Sequence, residues 1–273
     1  MIKGIDLPLH APTEDYRLVV DFIKRDPFSL GALVTTHKLD LFKACKDMFD
    51  FVDPYAEILC ELSSLSKNNG VFCAHAKDPI SSGLAIETFI APYFWAEHFG
   101  EVLILGAGGS ALAMSLYLCR NEADGNITNR ITIANRNKPR LESAKISLAD
   151  CTKKTKLRFI HSPAPEDNDC LVAALPPYSL VVNATGLGKD APGSPTTDRV
   201  KYPENSFVWE INYRGELVFM KQALAQAASK NLHVEDGWNY FIYGWTQVIQ
   251  EVFHVTIDAE QLAELSLIAN RSL

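Results

Sequence analysis

In the stretch EVLILGAGGSALAMSLYL, residues 101–118, Gly106, Gly108 and Ala111 fall at G-x-G-x-x-A spacing between an apolar β-rich run and a helical one. Glycine at the first position permits a tight turn, and glycine at the second lets the backbone approach a pyrophosphate. A small residue at the third lets helix and strand pack closely. The helix N-terminus then offers unpaired N–H groups and the positive end of a dipole to phosphate. With Ala107, Gly109 and Ser110 completing the turn, the chemistry open to these residues is to hold a dinucleotide. Glycine turns also serve as plain connectors, but here the flanking strand and helix are both in place.

The end of the following β-rich run bears on which dinucleotide that is. ITIANRNKPR, residues 131–140, supplies Asn135, Arg136, Lys138 and Arg140 and no acid. A free ribose 2′-hydroxyl is usually met there by Asp or Glu, whereas a 2′-phosphate needs a neutral or cationic setting. Arg136 can fork onto a phosphate or stack on adenine, and Arg140 adds a second charge. Cations at a helix start are unfavourable without an anion to pair with. The expected cofactor is therefore NADP.

A second group of polar residues precedes the glycine turn. Lys38 lies where a strand at 30–35 gives way to a helical pattern at 39–52, and Asp78 lies between a strand at 70–76 and a helix expected to run on from Ser81. A helix dipole and partial burial would both oppose the charge on Lys38, so its ammonium is expected to release a proton more readily than a free lysine. His37 is a rival base, and Asp78 can equally be a turn or capping residue. Thr35, Ser63, Ser64 and Tyr213 carry hydroxyls suited to a polyol or carboxylate, or else to nearby backbone groups.

Positioning these residues calls for alternating strands and helices, which favours parallel α/β architecture. The 273 residues are 47% hydrophobic and 22% charged, an ordinary globular composition with room for two domains. A net charge of −7 argues against a broad nucleic-acid or anionic-membrane surface. The six cysteines show no CxxC pair and no cysteine–histidine spacing for zinc, so no metal is expected. Without a signal-like apolar start or a run of about 18 apolar residues, the expectation is a cytoplasmic enzyme. Monomer and homodimer are both open.

Several motifs in order resemble the shikimate dehydrogenase family. GAGGSA is similar to its nucleotide turn, NRNKPR to its NADP-selecting N-R-T-x-x-R, and NATG, residues 183–186, to the N-A-T-x-x-G beside the nicotinamide. GALVTTHK looks like G-x-N-V-T-x-P-x-K, which puts Lys38 on the catalytic lysine. GVFCAHAKDPISSG is similar to the stretch ending N-T-D-x-x-G, which puts Asp78 on the catalytic aspartate. INYRGELVFMKQA resembles the strand carrying a substrate-side tyrosine, here Tyr213, and DGWNYFIYGW resembles D-G-x-x-M-L-x-x-Q-A.

The resemblance implies a Rossmann-type NADP-binding domain at 85–237 and a smaller α/β substrate domain with a central mixed sheet at 1–84 and 238–273. Asn183, Ala184, Thr185 and Gly237 would line the nicotinamide side. Lys38 would act as acid and base, with Asp78 as its partner, on a cyclic hydroxy acid such as shikimate. Quinate dehydrogenation and a non-catalytic NADP sensor are the alternatives. The chain also departs from the family pattern: nothing before Gly31 supplies the S-x-S that holds a substrate carboxylate. ELSS stands for A-V-N-T, and Gly244 stands for the substrate-facing glutamine.

Overall fold

The computed structural model describes residues 2–120, 128–151 and 155–270. The chain divides into two compact units, Met1–Asp78 with Gly244–Leu273, and Pro79–Tyr243.

The first unit begins with helix α1 (Thr13–Arg25), which follows Pro12 and buries Tyr16, Val20 and Ile23 on one stripe. The residues of β1 (Gly31–Leu33), α2 (Lys38–Cys45), β2 (Phe51–Val52), α3 (Pro54–Leu59), β3 (Ser64–Asn68) and β4 (Val71–His75) come next. Asp53 starts α3 by accepting from the Ala56 N–H at 2.6 Å, with Pro54 at the first helical position. The four strands form a mixed sheet in the order β1-β3-β4-β2. Its β1–β3 and β3–β4 pairs are antiparallel and its β2–β4 pair is parallel. Leu62, Leu65, Phe72 and Ala74 lie in its core.

Helix α4 (Asp78–Glu87) leads into the second unit. The single long helix expected from Ser81 is instead two short ones, α4 and α5 (Phe94–His98), because Pro92 lacks an N–H and Tyr93 takes a left-handed φ of 66°. The unit continues through β5 (Val102–Leu105), α6 (Gly109–Arg120), β6 (Arg130–Asn135), α7 (Lys138–Ser147), β7 (Lys156–His161), α8 (Pro165–Ala173) and β8 (Leu180–Asn183). It ends with β9 (Phe207–Glu210), α9 (Val218–Lys230), β10 (His233–Glu235) and the start of α10 (Trp238–Phe253); α11 (Ala259–Asn270) follows in the first unit.

All six strands of the second unit pair in parallel, in the order β10-β9-β8-β5-β6-β7. Counted within the unit this is the doubly wound 3-2-1-4-5-6 order, whose direction reverses between β5 and β8. Both of those strands are buried throughout, as a parallel sheet covered on two faces requires. Leu103, Leu105, Val181, Val208 and Phe219 share one core cluster. Strand β9 ends at Glu210, whose carboxylate takes the Asn212 N–H at 3.0 Å as the chain leaves the sheet.

Candidate functional site

Two groups of chemistry-bearing residues stand out, one in each unit. In the second unit, the crevice outside the carboxyl ends of β5 and β8 is where a doubly wound sheet binds its ligand. Gly106 leaves β5 at φ 121°, and a Cβ there would lie 2.4 Å from the carbonyl oxygen of Ala184. Only glycine fits, because the turns after β5 and β8 touch backbone to backbone. At Gly108 an added Cβ would meet nothing within 4 Å, so the backbone here faces open space at the N-terminus of the twelve-residue helix α6. Ala107 is buried, Gly109 and Ser110 are half-buried, and Ala111 packs fully inside.

At the end of β6 the Asn135 side chain accepts from the Asn137 N–H at 3.2 Å, and Asn137 caps α7 by accepting from the Arg140 N–H at 3.0 Å. The ring of His161 meets the Arg136 carbonyl at 3.1 Å. Arg136 and Arg140 are both exposed, and neither side chain forms an ion pair among the described residues.

Beyond β8 the loop is fixed by a buried network that sequence reasoning missed. Asn183 donates from Nδ2 to Glu210 at 2.7 Å, while its Oδ1 accepts the Thr185 N–H at 3.0 Å and hydroxyl at 2.6 Å. Asn212 donates from Nδ2 to Glu210 at 2.7 Å and to the carbonyls of Thr185 and Leu187, each at 3.2 Å. Glu210 is fully buried, and burial pushes its carboxyl up to about 7 against the pull of these donors and of Lys189. An acid ending an apolar strand was the only sign of it in the sequence.

Gly237 donates its N–H to Asn212 at 3.2 Å, and a Cβ on it would overlap the Ile211 carbonyl. Tyr213 is half-buried, stacked on Phe241 with ring centroids 4.1 Å apart and edge-on to Trp238.

In the first unit, Lys38 opens α2 and Asp78 opens α4, and Lys38 Nζ lies 2.5 Å from Asp78 Oδ2. The side chains keep 23% and 12% of their surface, so the pair is largely buried yet reachable. The expectation of a loosened lysine proton is corrected here. Burial does favour the neutral amine, but the charges of Asp78 and Glu61 outweigh it and hold Lys38 above the ordinary lysine value. His37 is taken up by a 3.0 Å hydrogen bond with buried Tyr16.

Ser63 accepts the Lys77 N–H at 2.8 Å on its hydroxyl, and Ser64 is fully buried with Oγ lacking a hydrogen-bond partner among the described residues. Thr35 is exposed in the turn before α2. A further cluster joins Lys77 to Glu251 at 2.5 Å, with His75 at 3.4 Å and Ser66 at 3.3 Å from the same carboxylate. Among the described residues no group of three or more His, Cys, Asp or Glu could hold a metal, and no helix is long and apolar enough to cross a membrane.

The 3-2-1-4-5-6 sheet with its glycine turn defines a Rossmann-type α/β protein with a second, mixed-sheet unit. No family model matches the chain. It is 24% identical over 268 residues to a protein of Lactococcus lactis subsp. cremoris named shikimate dehydrogenase (NADP(+)), covering 95% of this chain and 87% of that one. It is 30% identical over 173 residues to a protein of the same name from Rhodopseudomonas palustris, covering 62% of this chain and 55% of the relative. The solved shikimate 5-dehydrogenase of Thermus thermophilus, in complex with NADP(H) and shikimate, shares the fold with a TM-score of 0.68 at 20% identity, over 98% of this chain and 86% of that one. In sequence the chain is similar to these shikimate dehydrogenases, and it shares the fold of the solved one.

Proposed function

We propose that the protein is an NADP-dependent oxidoreductase that interconverts a cyclic hydroxy acid and its ketone, with shikimate and 3-dehydroshikimate the first pair to test. The observation that carries this reading is the Lys38–Asp78 pair, two residues forty positions apart joined at 2.5 Å. They are the two positions at which the family resemblance expects an acid/base lysine and its aspartate.

The second unit is suited to NADP. The open backbone at Gly108 and the start of α6, from Gly109 and Ser110, would receive the pyrophosphate, with Gly106 and Ala107 shaping the turn. Arg136, just before α7, and Arg140 in its first turn, both exposed and without an ion pair among the described residues, would receive the 2′-phosphate beside Asn135. Asn183, Ala184, Thr185 and Gly237 are proposed for the nicotinamide side, and Tyr213 for the substrate side. Bound NADPH supplies a hydride. Lys38 then gives its ammonium proton to the oxygen that was the ketone, and Asp78 steadies the lysine before and after. In the reverse direction neutral Lys38 takes the hydroxyl proton.

The hydroxyl of Ser63 is engaged by backbone and that of Ser64 is enclosed, so neither resembles an open carboxylate holder. The substrate screen should therefore include cyclic alcohols without a carboxylate alongside shikimate and quinate. The test is NADP+ reduction followed at 340 nm across such a panel, with Lys38→Ala as control and separate titrations with NADPH and NADH. Activity that survives intact in the variant removes the acid/base assignment. Equal or absent binding of both nucleotides removes the cofactor.

A further inference from the structure

Glu61 is 2% exposed and its Oε1 has no hydrogen-bond partner among the described residues. Its place is set by backbone on both sides. The N–H of the next residue, Leu62, donates to the carbonyl of Lys38 at 3.2 Å, and the Ser63 N–H donates to His75 at 2.9 Å, three residues before Asp78. The segment carrying Glu61 is thus stitched between the start of α2, which carries Lys38, and the end of β4, three residues before Asp78. A buried carboxyl with an unpartnered oxygen is costly in such a place unless it is neutral or its charge is used.

We propose that Glu61 is a positioning residue of the Lys38–Asp78 pair, a second carboxyl whose own charge decides how firmly Lys38 keeps its proton. One ammonium cannot neutralise two carboxylates. With Glu61 ionised the buried group carries a net negative charge and Lys38 is held protonated; with Glu61 neutral the charges balance and the lysine proton is released more readily. The groups that face Glu61 electrostatically are Lys38 on α2 and Asp78 at the start of α4, while the nearby Lys77 ammonium is spent on Glu251 at 2.5 Å. Burial and the Asp78 charge push Glu61 up to about 7, so the change of state falls near neutrality. ELSS stands where the resemblance expects A-V-N-T, which sets Glu61 against the alanine of that pattern.

The proposal rests on Lys38 being the acid and base, and its test separates the two ideas. The ligand-free full-length protein is trace-labelled with acetic anhydride between pH 6 and 11, and the Lys38 peptide is quantified by mass spectrometry. Glu61→Gln and Glu61→Met are compared with the wild type, each checked for an intact thermal transition. Both variants are expected to label Lys38 about tenfold faster at pH 9, the effect of removing one close charge from a partly screened interior. Where turnover is found, the ionisation near pH 7 should disappear from the kcat/KM profile of both variants.

A Lys38 labelling curve unchanged in either folded variant overturns the proposal, whatever the turnover. A wild type that turns over no cyclic alcohol defeats the proposed function and leaves the labelling result to decide on Glu61.

Discussion

Replacing Glu210 by alanine would remove the acceptor on which the turns after β8 and β9 converge. Three donors point at this carboxylate: Asn183 Nδ2 and Asn212 Nδ2, each at 2.7 Å, and the Asn212 N–H at 3.0 Å. The two side-chain amides have carbonyls to fall back on at 3.2–3.4 Å, but the Asn212 N–H has no second acceptor among the described residues. One orphaned buried donor costs about 1–3 kcal/mol and each of the two weakened hydrogen bonds about 1 kcal/mol, so the variant should lose about 3–5 kcal/mol at pH 6. That is a large share of the roughly 5–15 kcal/mol that holds a domain folded.

Glu210→Gln tests the charge separately. A carboxyl raised from 4.5 to about 7 binds more protons folded than unfolded over that interval, so its contribution is complete below pH 4.5 and fades as pH rises through 7. The difference is on the order of 3 kcal/mol for Glu210, and Glu61 adds a similar term over the same range. The glutamine variant should show about half the wild-type fall in stability between pH 5 and 8. Urea unfolding read by the fluorescence of buried Trp209, adjacent in sequence, measures both. A Glu210→Ala protein within about 0.5 kcal/mol of wild type, or a Glu210→Gln protein with the full wild-type slope, would refute the reasoning.

The glycine turn yields a contrast within two residues. Gly106→Ala forces a Cβ against the Ala184 carbonyl at a left-handed φ and should lower the melting temperature by several degrees, whereas Gly108→Ala should leave it unchanged yet weaken NADPH binding at least about tenfold; a Gly108→Ala protein that binds normally removes the pyrophosphate from that position. Arg136→Ala should weaken NADPH about 10- to 100-fold and leave NADH untouched, by calorimetric titration, since only the 2′-phosphate distinguishes them. Because Lys38 holds its proton above the ordinary lysine value, NADP+-linked oxidation should accelerate from pH 7 to 10 while ketone reduction does not; a flat oxidation profile counts against Lys38 as the base.

What could be read from the sequence was what local pattern encodes. VLIL and LVVN are apolar at every position and lie buried on both faces, so the parallel strands on either side of the switch point announced themselves. Helix α1 did not, because its buried stripe amounts to Tyr16, Val20 and Ile23 among charged neighbours. Strand β3 was hidden for a different reason: SLSKN is polar in composition, yet Ser64 and Ser66 are fully buried between two antiparallel partners. Glu210 and Glu61 were opaque for the same cause. A lone acid in an apolar run reads as an outward-facing position, and only sheet register and a backbone bond 24 residues back reveal the interior setting.

Lys38 marks the point where local reasoning gives the wrong sign. From sequence, the sign was set by partial burial and by the positive end of α2, worth about 0.3–1 kcal/mol at an exposed helix end, while Asp78 entered as the partner that the family resemblance implied. The fold adds a full carboxylate at 2.5 Å, whose attraction is several kcal/mol even at an effective dielectric of about 20. Burial favours the neutral amine, but the Asp78 and Glu61 carboxylates together outweigh it, and the lysine is a cation at neutral pH. A group so held is ready to donate, not to accept, which suits an acid that completes ketone reduction. For the opposite direction the same residue must first be relieved of its proton, and among the described residues the second carboxyl whose charge reaches it is Glu61, poised to change state near neutrality. The pH at which the lysine is ready to donate or to accept would then depend on the state of Glu61.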